Sequence, residues 1–389
     1  MFSARLDRDL TPNQLAETLA AKRAAGIEIL DLTESNPTRA GFNYDPKILT
    51  ALAQPQAMLY EPHPRGLPSA RRAVADYYGA RGHAIRPDSL TLTTSTSEAY
   101  GYLFKLLADP GDEILLPRPS YPLLDFLTAL DSVRVVHYPL RYDDAKGWRI
   151  DLERLFHSVG ENTAALVVVN PNNPTGSFLK SDELKELNSI CAARHLALIV
   201  DEVFSDYGSG NDPMRVATTA SVPTEALTFT LSGLSKVAGL PQVKLGWIQV
   251  GGPPELCAEA QARLDVIADT YLSVSTPVQH AAPTLLAGRD MIQQQIKTRI
   301  TENHHFLEEY CPGVARPLRY EGGWYAVLET ESAAPEEELA QRLLEHDNVL
   351  IHPGYFFDFD SDGMLVVSLL TPTATFQTGI SKLLARLNL

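Results

Sequence analysis

The spacing of hydrophobic residues predicts two kinds of structure in different parts of this chain. From about residue 68 to 233, helical patterns alternate with short apolar runs such as those at 166–169 and 196–200. Uninterrupted runs rich in Val, Ile and Leu are typical of parallel strands that are buried on both faces. We therefore expect an α/β fold with βαβ units and a mostly parallel central sheet flanked by helices.

The N-terminal part of the chain follows another pattern. Thr11-Pro12 predicts the start of a capped helix that ends at Gly26. The apolar residues at 29–32 predict a short strand. We expect this segment to contribute to a domain formed mainly by the C-terminal part of the chain.

Beyond about residue 285 the alternation gives way to a long helix, two further apolar runs and two more helices. This order is typical of a smaller α+β domain. We predict that residues 1–45 contribute to that small domain, that residues 46–285 form a large domain, and that residues 286–389 form the rest of the small domain.

Composition excludes several classes of function. The 389 residues carry a formal net charge of −15, which disfavours nucleic acid or an anionic membrane surface as a partner. The three cysteines, Cys191, Cys257 and Cys311, are far apart and odd in number, so they predict neither a disulfide framework nor a metal site. The N-terminus has no apolar leader, and no stretch is long enough to span a membrane. We expect a cytoplasmic protein.

Polar residues gather where predicted strands end. Asp201 directly follows the apolar run at 196–200, and a buried lone carboxylate is costly without a cationic partner. Asn170, Asn172 and Asn173 offer amide groups in the turn after the run at 166–169. Each feature alone also fits a plain structural role, as an ion pair or as a turn.

A helix start and a lysine add to this set. Ser95, Thr96 and Ser97 stand where a strand gives way to a helix, and free N–H groups at a helix start can bind an anion or simply be capped. Lys236 lies in LSGLSKVAGLPQVKLGW, residues 231–247, which is too apolar and glycine-rich for a charged surface. A lysine held there, near a carboxylate, can act as a neutral amine and form a Schiff base.

Four segments, taken in order, resemble the fold-type I pyridoxal-phosphate enzymes, specifically the class I and II aminotransferases. They are DPGDEILLPRPSYP at 109–122, NNPTG at 172–176, DEVF at 201–204 and the lysine segment at 231–247. The resemblance runs from about Leu32 to the C-terminus. It implies pyridoxal 5′-phosphate bound in the large domain, no metal, and amino transfer between an amino acid and a 2-oxo acid by a Schiff-base ping-pong mechanism.

The resemblance also implies roles for single residues. Lys236 would form the Schiff base and later move the proton of the substrate α-carbon. Asp201 would keep the pyridine nitrogen protonated, Asn173 would bind the ring hydroxyl, and Tyr121 would stack on the ring. The residues implied around the cofactor phosphate are Ser95, Thr96, Ser97, Ser235 and Lys244.

Two further implications concern the partner subunit and the substrate. Tyr60 matches the tyrosine that reaches the phosphate of the neighbouring subunit, so a homodimer with shared active sites is implied. Ser35 and Asn36 match a loop beside the substrate.

Three departures from the family pattern bear on function. Phe204 replaces a tyrosine that donates a hydrogen bond to the ring oxygen, which should raise the pKa of the Schiff-base nitrogen unless Tyr207 substitutes. Lys244 replaces an arginine at the phosphate and Gly233 replaces a serine, so a point charge takes the place of a bidentate contact. Val366 stands where an arginine normally binds the substrate carboxylate.

The missing arginine leaves the reaction type open, because a bidentate contact also orients the substrate. We expect Arg65, or else Arg118, Arg316 or Arg319, to supply the cation. The aromatic segment 352–359 is either core or a wall for an apolar substrate. The alternatives to an aminotransferase are a pyridoxal-phosphate lyase or decarboxylase, and a non-catalytic sensing domain, for which we expect an added DNA-binding segment.

Overall fold

The computed structural model describes residues 2–7, 11–311, 313–331 and 334–388. The helices of these ranges are α1 Gln14–Ala24, α2 Lys47–Leu52, α3 Pro68–Ala80, α4 Thr96–Leu107, α5 Leu123–Leu130, α6 Leu152–Ser158, α7 Ser181–Arg194, α8 Leu234–Val237, α9 Pro254–Tyr271, α10 Thr276–Ala287, α11 Arg289–Tyr310, α12 Glu336–Arg342 and α13 Thr373–Leu387. The strands are β1 Leu30–Asp31, β2 Leu90–Thr93, β3 Glu113–Arg118, β4 Arg134–Asp143, β5 Gly147–Ile150, β6 Thr163–Val169, β7 Ala197–Asp201, β8 Thr228–Gly233, β9 Gly246–Gly251, β10 Ala315–Pro317, β11 Tyr325–Thr330, β12 Val349–Leu350, β13 His352–Pro353 and β14 Met364–Ser368.

An eight-stranded sheet forms the centre of the fold, in the order β2-β9-β8-β7-β6-β3-β4-β5. Neighbours from β8 to β4 pair in parallel, whereas β9 runs antiparallel between β8 and β2, and β5 pairs antiparallel at the other edge. The predicted α/β fold with a mostly parallel central sheet is therefore confirmed. Strand β9 was not among the predicted elements.

The central strands are apolar throughout because both of their faces are covered. Leu198 and Val200 of β7 pack in one hydrophobic cluster, whereas Ala197 and Ile199 pack in another on the opposite face. Side chains alternate between the two faces of a strand, so a strand between two cores needs apolar residues at every position. The continuous runs in the sequence predicted this burial.

Helix α1 begins later than the sequence predicted. Its N-cap is Asn13, whose side-chain oxygen accepts a hydrogen bond from the backbone N–H of Ala16 at 2.9 Å. The predicted cap at Thr11-Pro12 is therefore wrong by two residues, because asparagine also ranks among the best N-caps.

The N-terminal segment packs against the C-terminal part of the chain. Strand β1 pairs in parallel with β12, and β10, β11, β14 and β13 form a four-stranded antiparallel sheet. Leu32 and Ala40 are fully buried in one cluster with residues of α11, β14 and α13. The domain boundaries near residues 45 and 285 remain a prediction. Within the described ranges, no helix combines the length and the apolar character needed to cross a membrane.

Candidate active site

The polar residues predicted from the sequence lie at one edge of the central sheet. Asp201 ends β7, Lys236 follows β8 in the short helix α8, and Asn173 follows β6. Strand β2 runs in the same direction as β8, so the start of α4 lies at this edge too. Carboxyl ends of parallel strands meet along one edge, which is where open α/β sheets bind ligands.

Lys236 is held from two sides. Its backbone carbonyl accepts a hydrogen bond from the hydroxyl of Tyr207 at 2.7 Å. Its Nζ lies 5.5 Å from the ring centroid of Phe204 and 4.8 Å from that of Trp324, and these two rings pack edge to face. Burial lowers the pKa of Lys236 to about 8, although the nearby Asp201 acts in the opposite direction. A neutral amine is thus accessible near physiological pH.

Asp201 is buried at the end of β7 and both of its oxygens are bound. The backbone N–H of Val203 donates to Oδ1 and the hydroxyl of Tyr100 donates to Oδ2, each at 3.1 Å. Burial raises the pKa of Asp201 to about 6, while these hydrogen bonds and Lys236 hold it down. Asp201 is therefore mostly ionised at neutral pH. We call Lys236, Asp201 and their contacts Tyr100, Phe204, Tyr207 and Trp324 the amine–acid end of the site.

Tyr207 does not have the role suggested by the sequence. Its hydroxyl donates to the backbone carbonyl of Lys236. Tyr207 therefore does not replace the hydrogen-bond donor that is lost with phenylalanine at position 204. Tyr207 instead fixes the backbone that carries the lysine.

The three asparagines of the turn after β6 have different roles. Both polar groups of the Asn170 side chain are used, one on the carbonyl of Val216 and one on the N–H of Leu179. The Asn172 amide donates to the carbonyl of Pro119 and to Thr175. The side-chain oxygens of Asn172 and Asn173 are both buried without a hydrogen-bond partner among the described residues. Asn173, whose amide nitrogen also donates to no other described residue, therefore has the most unused capacity.

The start of α4 forms the opposite part of the site. Ser95 is the N-cap, and its hydroxyl accepts from the N–H of Glu98 at 3.1 Å, while Thr96 and Ser97 are half-buried in the first turn. A Cβ at Gly246 would lie 2.9 Å from the carbonyl carbon of Ser95, so glycine is needed for the start of β9 to pass here.

Three more residues were predicted to lie around the cofactor phosphate. Lys244, two residues before β9, is exposed with a φ of +64°, a conformation that residues with side chains rarely adopt. Ser235 is half-buried beside Lys236, and Tyr60 is 66% exposed. We call Ser95, Thr96, Ser97, Ser235 and Lys244, with Tyr60 as the residue expected from a partner, the anion end of the site.

Aromatic side chains line the side of the site next to the small sheet. Tyr325 lies with its ring centroid 6.4 Å from that of Phe204 and 6.5 Å from that of Phe357, and Tyr121 lies 6.5 Å from Phe357. Tyr121 is 44% exposed, whereas Phe357 is buried. The aromatic segment 352–359 therefore supplies both core and wall, since Phe357 packs in the core next to Tyr121 and Tyr325.

The three residues predicted to bind the substrate make different contacts. Ser35 lies within hydrogen-bonding reach of the Tyr325 hydroxyl, so its loop borders the aromatic wall. The side-chain oxygen of Asn36 accepts from the backbone and the hydroxyl of Thr38 and is used within the loop. Arg65 makes a bidentate pair with Asp265, with both contacts at 2.6 Å, which argues against a role in binding substrate.

Three functional positions were not found from the sequence. Tyr100 donates a hydrogen bond to Asp201, Trp324 lies against the amine of Lys236, and Tyr325 lies against Phe204. Tyr100 lies four residues after Thr96 on the buried face of α4, so its helical spacing was a usable signal. Tyr325 begins β11 of the small sheet and Trp324 directly precedes it, and no local pattern shows that this segment packs near Lys236.

The groups at this edge fit pyridoxal 5′-phosphate. Its aldehyde requires an amine, which Lys236 offers, and its ring nitrogen requires a carboxylate, which Asp201 offers. Asn173 follows β6 at this edge, and its side-chain amide makes no hydrogen bond with another described residue, so it can meet a ring hydroxyl. The first turn of α4, closely approached by Gly246, offers backbone N–H groups to a phosphate. The described residues contain no group of three or more His, Cys, Asp or Glu side chains suited to a metal ion.

Comparison with known proteins gives one consistent result. Residues 27–382 match the family described as aminotransferase class I and II. The chain is 30% identical to the alanine aminotransferase of Mycobacterium tuberculosis over 365 residues, which cover 90% of this chain and 83% of that protein. It is 28% identical to the glutamate-pyruvate aminotransferase of Haemophilus influenzae over 375 residues, covering 92% and 90% of the two chains.

Solved structures share the whole fold. The alanine aminotransferase from Pyrococcus furiosus has a TM-score of 0.87 at 24% identity, with 100% of both chains covered. An aminotransferase from Escherichia coli has a TM-score of 0.86 at 23% identity, covering 100% of this chain and 98% of that chain. Both are aminotransferases, as are the two relatives above, and nothing in these comparisons supports the lyase or decarboxylase alternative.

Proposed function

This chain belongs to the class I and II aminotransferase family, and from that premise we propose that it uses pyridoxal 5′-phosphate to move an amino group between alanine or glutamate and 2-oxo acids. Amino transfer itself follows from the family and from relatives that carry this activity in their names. The cofactor, the residues that hold it and the substrates are our proposal.

One observation carries the proposal: a lysine amine between two aromatic rings and a buried carboxylate share the carboxyl-end edge of the sheet. The pKa of Lys236 is lowered to about 8 and that of Asp201 is raised to about 6, both chiefly by burial. Shifted pKa values in opposite directions within one site are typical of catalytic groups. A surface lysine and a surface aspartate would show neither shift.

The bound cofactor supplies an electrophilic carbon for the amino group and a protonated ring that accepts the electrons released when a bond to the substrate α-carbon breaks. Asp201 Oδ1 and Oδ2, fixed by Val203 and Tyr100, would present a negative charge to the ring nitrogen. Lys236 Nζ, as a neutral amine, would take up the proton of the substrate α-carbon and hold it for return within the site. The rings of Phe204 and Trp324 exclude water around that nitrogen.

The anion end would hold the phosphate. Thr96 and Ser97 present N–H groups and hydroxyls at the start of α4, and Lys244 adds a positive charge. We propose that Tyr60 of a second copy completes this end, which makes the protein a homodimer with shared sites. Its support is the 66% exposure of Tyr60 next to Met58, which is 91% exposed. We also propose a cytoplasmic location, which the free cysteines favour.

A single half-reaction tests this function. Protein loaded with pyridoxal phosphate is mixed with L-alanine or L-glutamate in the absence of a 2-oxo acid acceptor. We expect stoichiometric pyruvate or 2-oxoglutarate, with the nitrogen retained on the cofactor as the pyridoxamine form. Release of ammonia or carbon dioxide in place of the 2-oxo acid would overturn the proposal.

A further inference from the structure

The substrate carboxylate still needs a cation, because every amino acid and 2-oxo acid carries that group. A carboxylate brought out of water is stabilised mainly by charge-assisted hydrogen bonds, and arginine provides two in parallel. Val366, at the position expected to hold this arginine, is a fully buried apolar residue of β14. Assigning a cation to this carboxylate rests on the proposed function, because only that function gives the site an amino acid to bind.

The arginines expected from the sequence are bound to other groups. Arg65 and Arg316 each use all three guanidinium nitrogens on protein acceptors. Arg118 is paired with Asp358 and Asp360, and Arg319 donates to the carbonyl of Ala145 and faces Glu321. Moving any of them to a substrate would break these contacts.

The histidine nearest to the aromatic wall is not a cation either. His352 lies with its ring centroid 5.6 Å from that of Phe357. Burial lowers its pKa to about 4, so it is neutral at physiological pH.

Arg39 differs from these arginines. It follows the Ser35-Asn36 loop, and 72% of its side chain is exposed. Its ion-pair contact is from Nε to Glu34 Oε2 at 3.3 Å, and its guanidinium makes no hydrogen bond with another described residue. A guanidinium held through Nε keeps its two terminal nitrogens available for bidentate contact with a carboxylate.

Glu34 connects this arginine to the aromatic wall. Its backbone carbonyl accepts from the Ser368 hydroxyl at 2.7 Å, and its carboxylate and Tyr121 both raise the pKa of Tyr325 slightly beyond the effect of burial. Ser368 pairs with Tyr325 in the small sheet, and Tyr325 neighbours Phe204, whose ring lies against Lys236. The loop that carries Glu34 and Arg39 therefore borders the aromatic wall beside Lys236.

Glu34 is itself well fixed. Its Oε1 accepts the backbone N–H of Asn36 at 2.9 Å, and only 19% of its side chain is exposed. A fixed acid of this kind orients a flexible arginine. We infer that Arg39 binds the carboxylate of the amino acid and 2-oxo acid substrates, and that Glu34 positions it.

The experiment compares Arg39→Ala, Arg39→Lys and Glu34→Gln with the wild type, with the exposed Arg72→Ala as the matched control. Two quantities are measured on cofactor-loaded protein: kcat/KM for L-alanine, and the dissociation constant of propionate, an unreactive carboxylate, by calorimetry. We expect Arg39→Ala to lower kcat/KM and weaken propionate binding, each by roughly 10- to 100-fold. Arg39→Lys should fall between, since it keeps the charge but not the fork.

Glu34→Gln has its own signature because it leaves the guanidinium in place. Its KM for L-alanine should rise about 3- to 10-fold, with kcat nearly unchanged. Arg72→Ala should match the wild type in both quantities.

The two proposals fail separately. Propionate binding and kcat/KM of Arg39→Ala within about twofold of the wild type would overturn this inference alone. A wild type that converts neither L-alanine nor L-glutamate would overturn the proposed function, and propionate binding would still decide the role of Arg39.

Discussion

Lys236 and Asp201 are held by neighbours from the same chain, whereas Lys244 and Tyr60 extend into solvent. At the amine–acid end, Tyr207, Tyr100 and two aromatic rings fix the reactive groups and shift their pKa values. At the anion end, the predicted contacts are exposed or half-buried. The difference fits our proposal, in which one folded chain preorganises the amine–acid end, while a ligand and a second subunit would complete the anion end.

The largest effect should come from removing the amine. We expect Lys236→Ala to lower the amino-transfer rate by at least about 1,000-fold, because both the attachment point and the proton carrier are lost. The fold should survive, since the substitution keeps the backbone carbonyl that Tyr207 binds. Steady-state kinetics and circular dichroism check this, with the exposed Lys185→Ala as the control. A Lys236→Ala protein with wild-type kcat would remove the distinction between the two ends.

The next largest effect concerns the carboxylate. Asp201→Asn keeps the shape but not the charge, and we expect a loss of about 100- to 1,000-fold in kcat, as for other groups that stabilise developing charge. Single-turnover kinetics with L-alanine measure it. A loss below about threefold would show that the acid does not act on the ring.

The same substitution should stabilise the cofactor-free protein. The pKa of Asp201 is raised from 3.8 to about 6 by burial, so between these values the folded state binds more protons than the unfolded state, and stability falls as the pH rises. Above about pH 6 the wild type bears the full cost, on the order of 3 kcal/mol.

Asp201→Asn does not titrate, so its advantage in free energy of unfolding should grow from about pH 4 to about pH 6 and then level off. Urea denaturation of both proteins at either end of this range checks the sign. An advantage that is the same at both pH values, or reversed, would contradict the burial of an ionised carboxylate at the amine–acid end.

The smallest effect should lie at the anion end. We expect Lys244→Ala to weaken pyridoxal phosphate binding by about 10-fold or less, because an exposed lysine gives a single charge-assisted contact. Lys244→Arg should bind at least as tightly as the wild type, since it restores a bidentate fork. Absorbance titration of the cofactor measures both. A loss as large as that of Lys236→Ala would mean that this end is as preorganised as the other.

The same contrast describes what the sequence can predict. Asp201, Asn173 and Lys236 stand next to strand ends, so the rule that sites lie at the carboxyl edge of the sheet is enough to predict that they lie together. Trp324 and Tyr325, at the start of β11, lie far from Lys236 in the chain, and only tertiary packing brings Trp324 against the amine and Tyr325 against Phe204. Glu34 comes from the N-terminal loop, which reaches the small sheet through Ser368.

The second limit on prediction was which hydrogen-bond partner a long side chain meets. Arg65 was expected at the substrate because it is an arginine near a family segment, but Asp265 on α9 takes up its guanidinium. Tyr207 was named only as a substitute for the donor that Phe204 lacks, and its hydroxyl donates to the carbonyl of Lys236. Which of several acceptors a long side chain meets depends on tertiary distances that no spacing along the sequence encodes.

The central claim is that Lys236 is the amine that joins the cofactor. The most direct test is to load the protein with pyridoxal phosphate, reduce it with borohydride and map the peptide that carries the pyridoxyl group. We predict stoichiometric label on the peptide containing Lys236 and none in Lys236→Ala. Label on another lysine, or undiminished label in that variant, would contradict the claim.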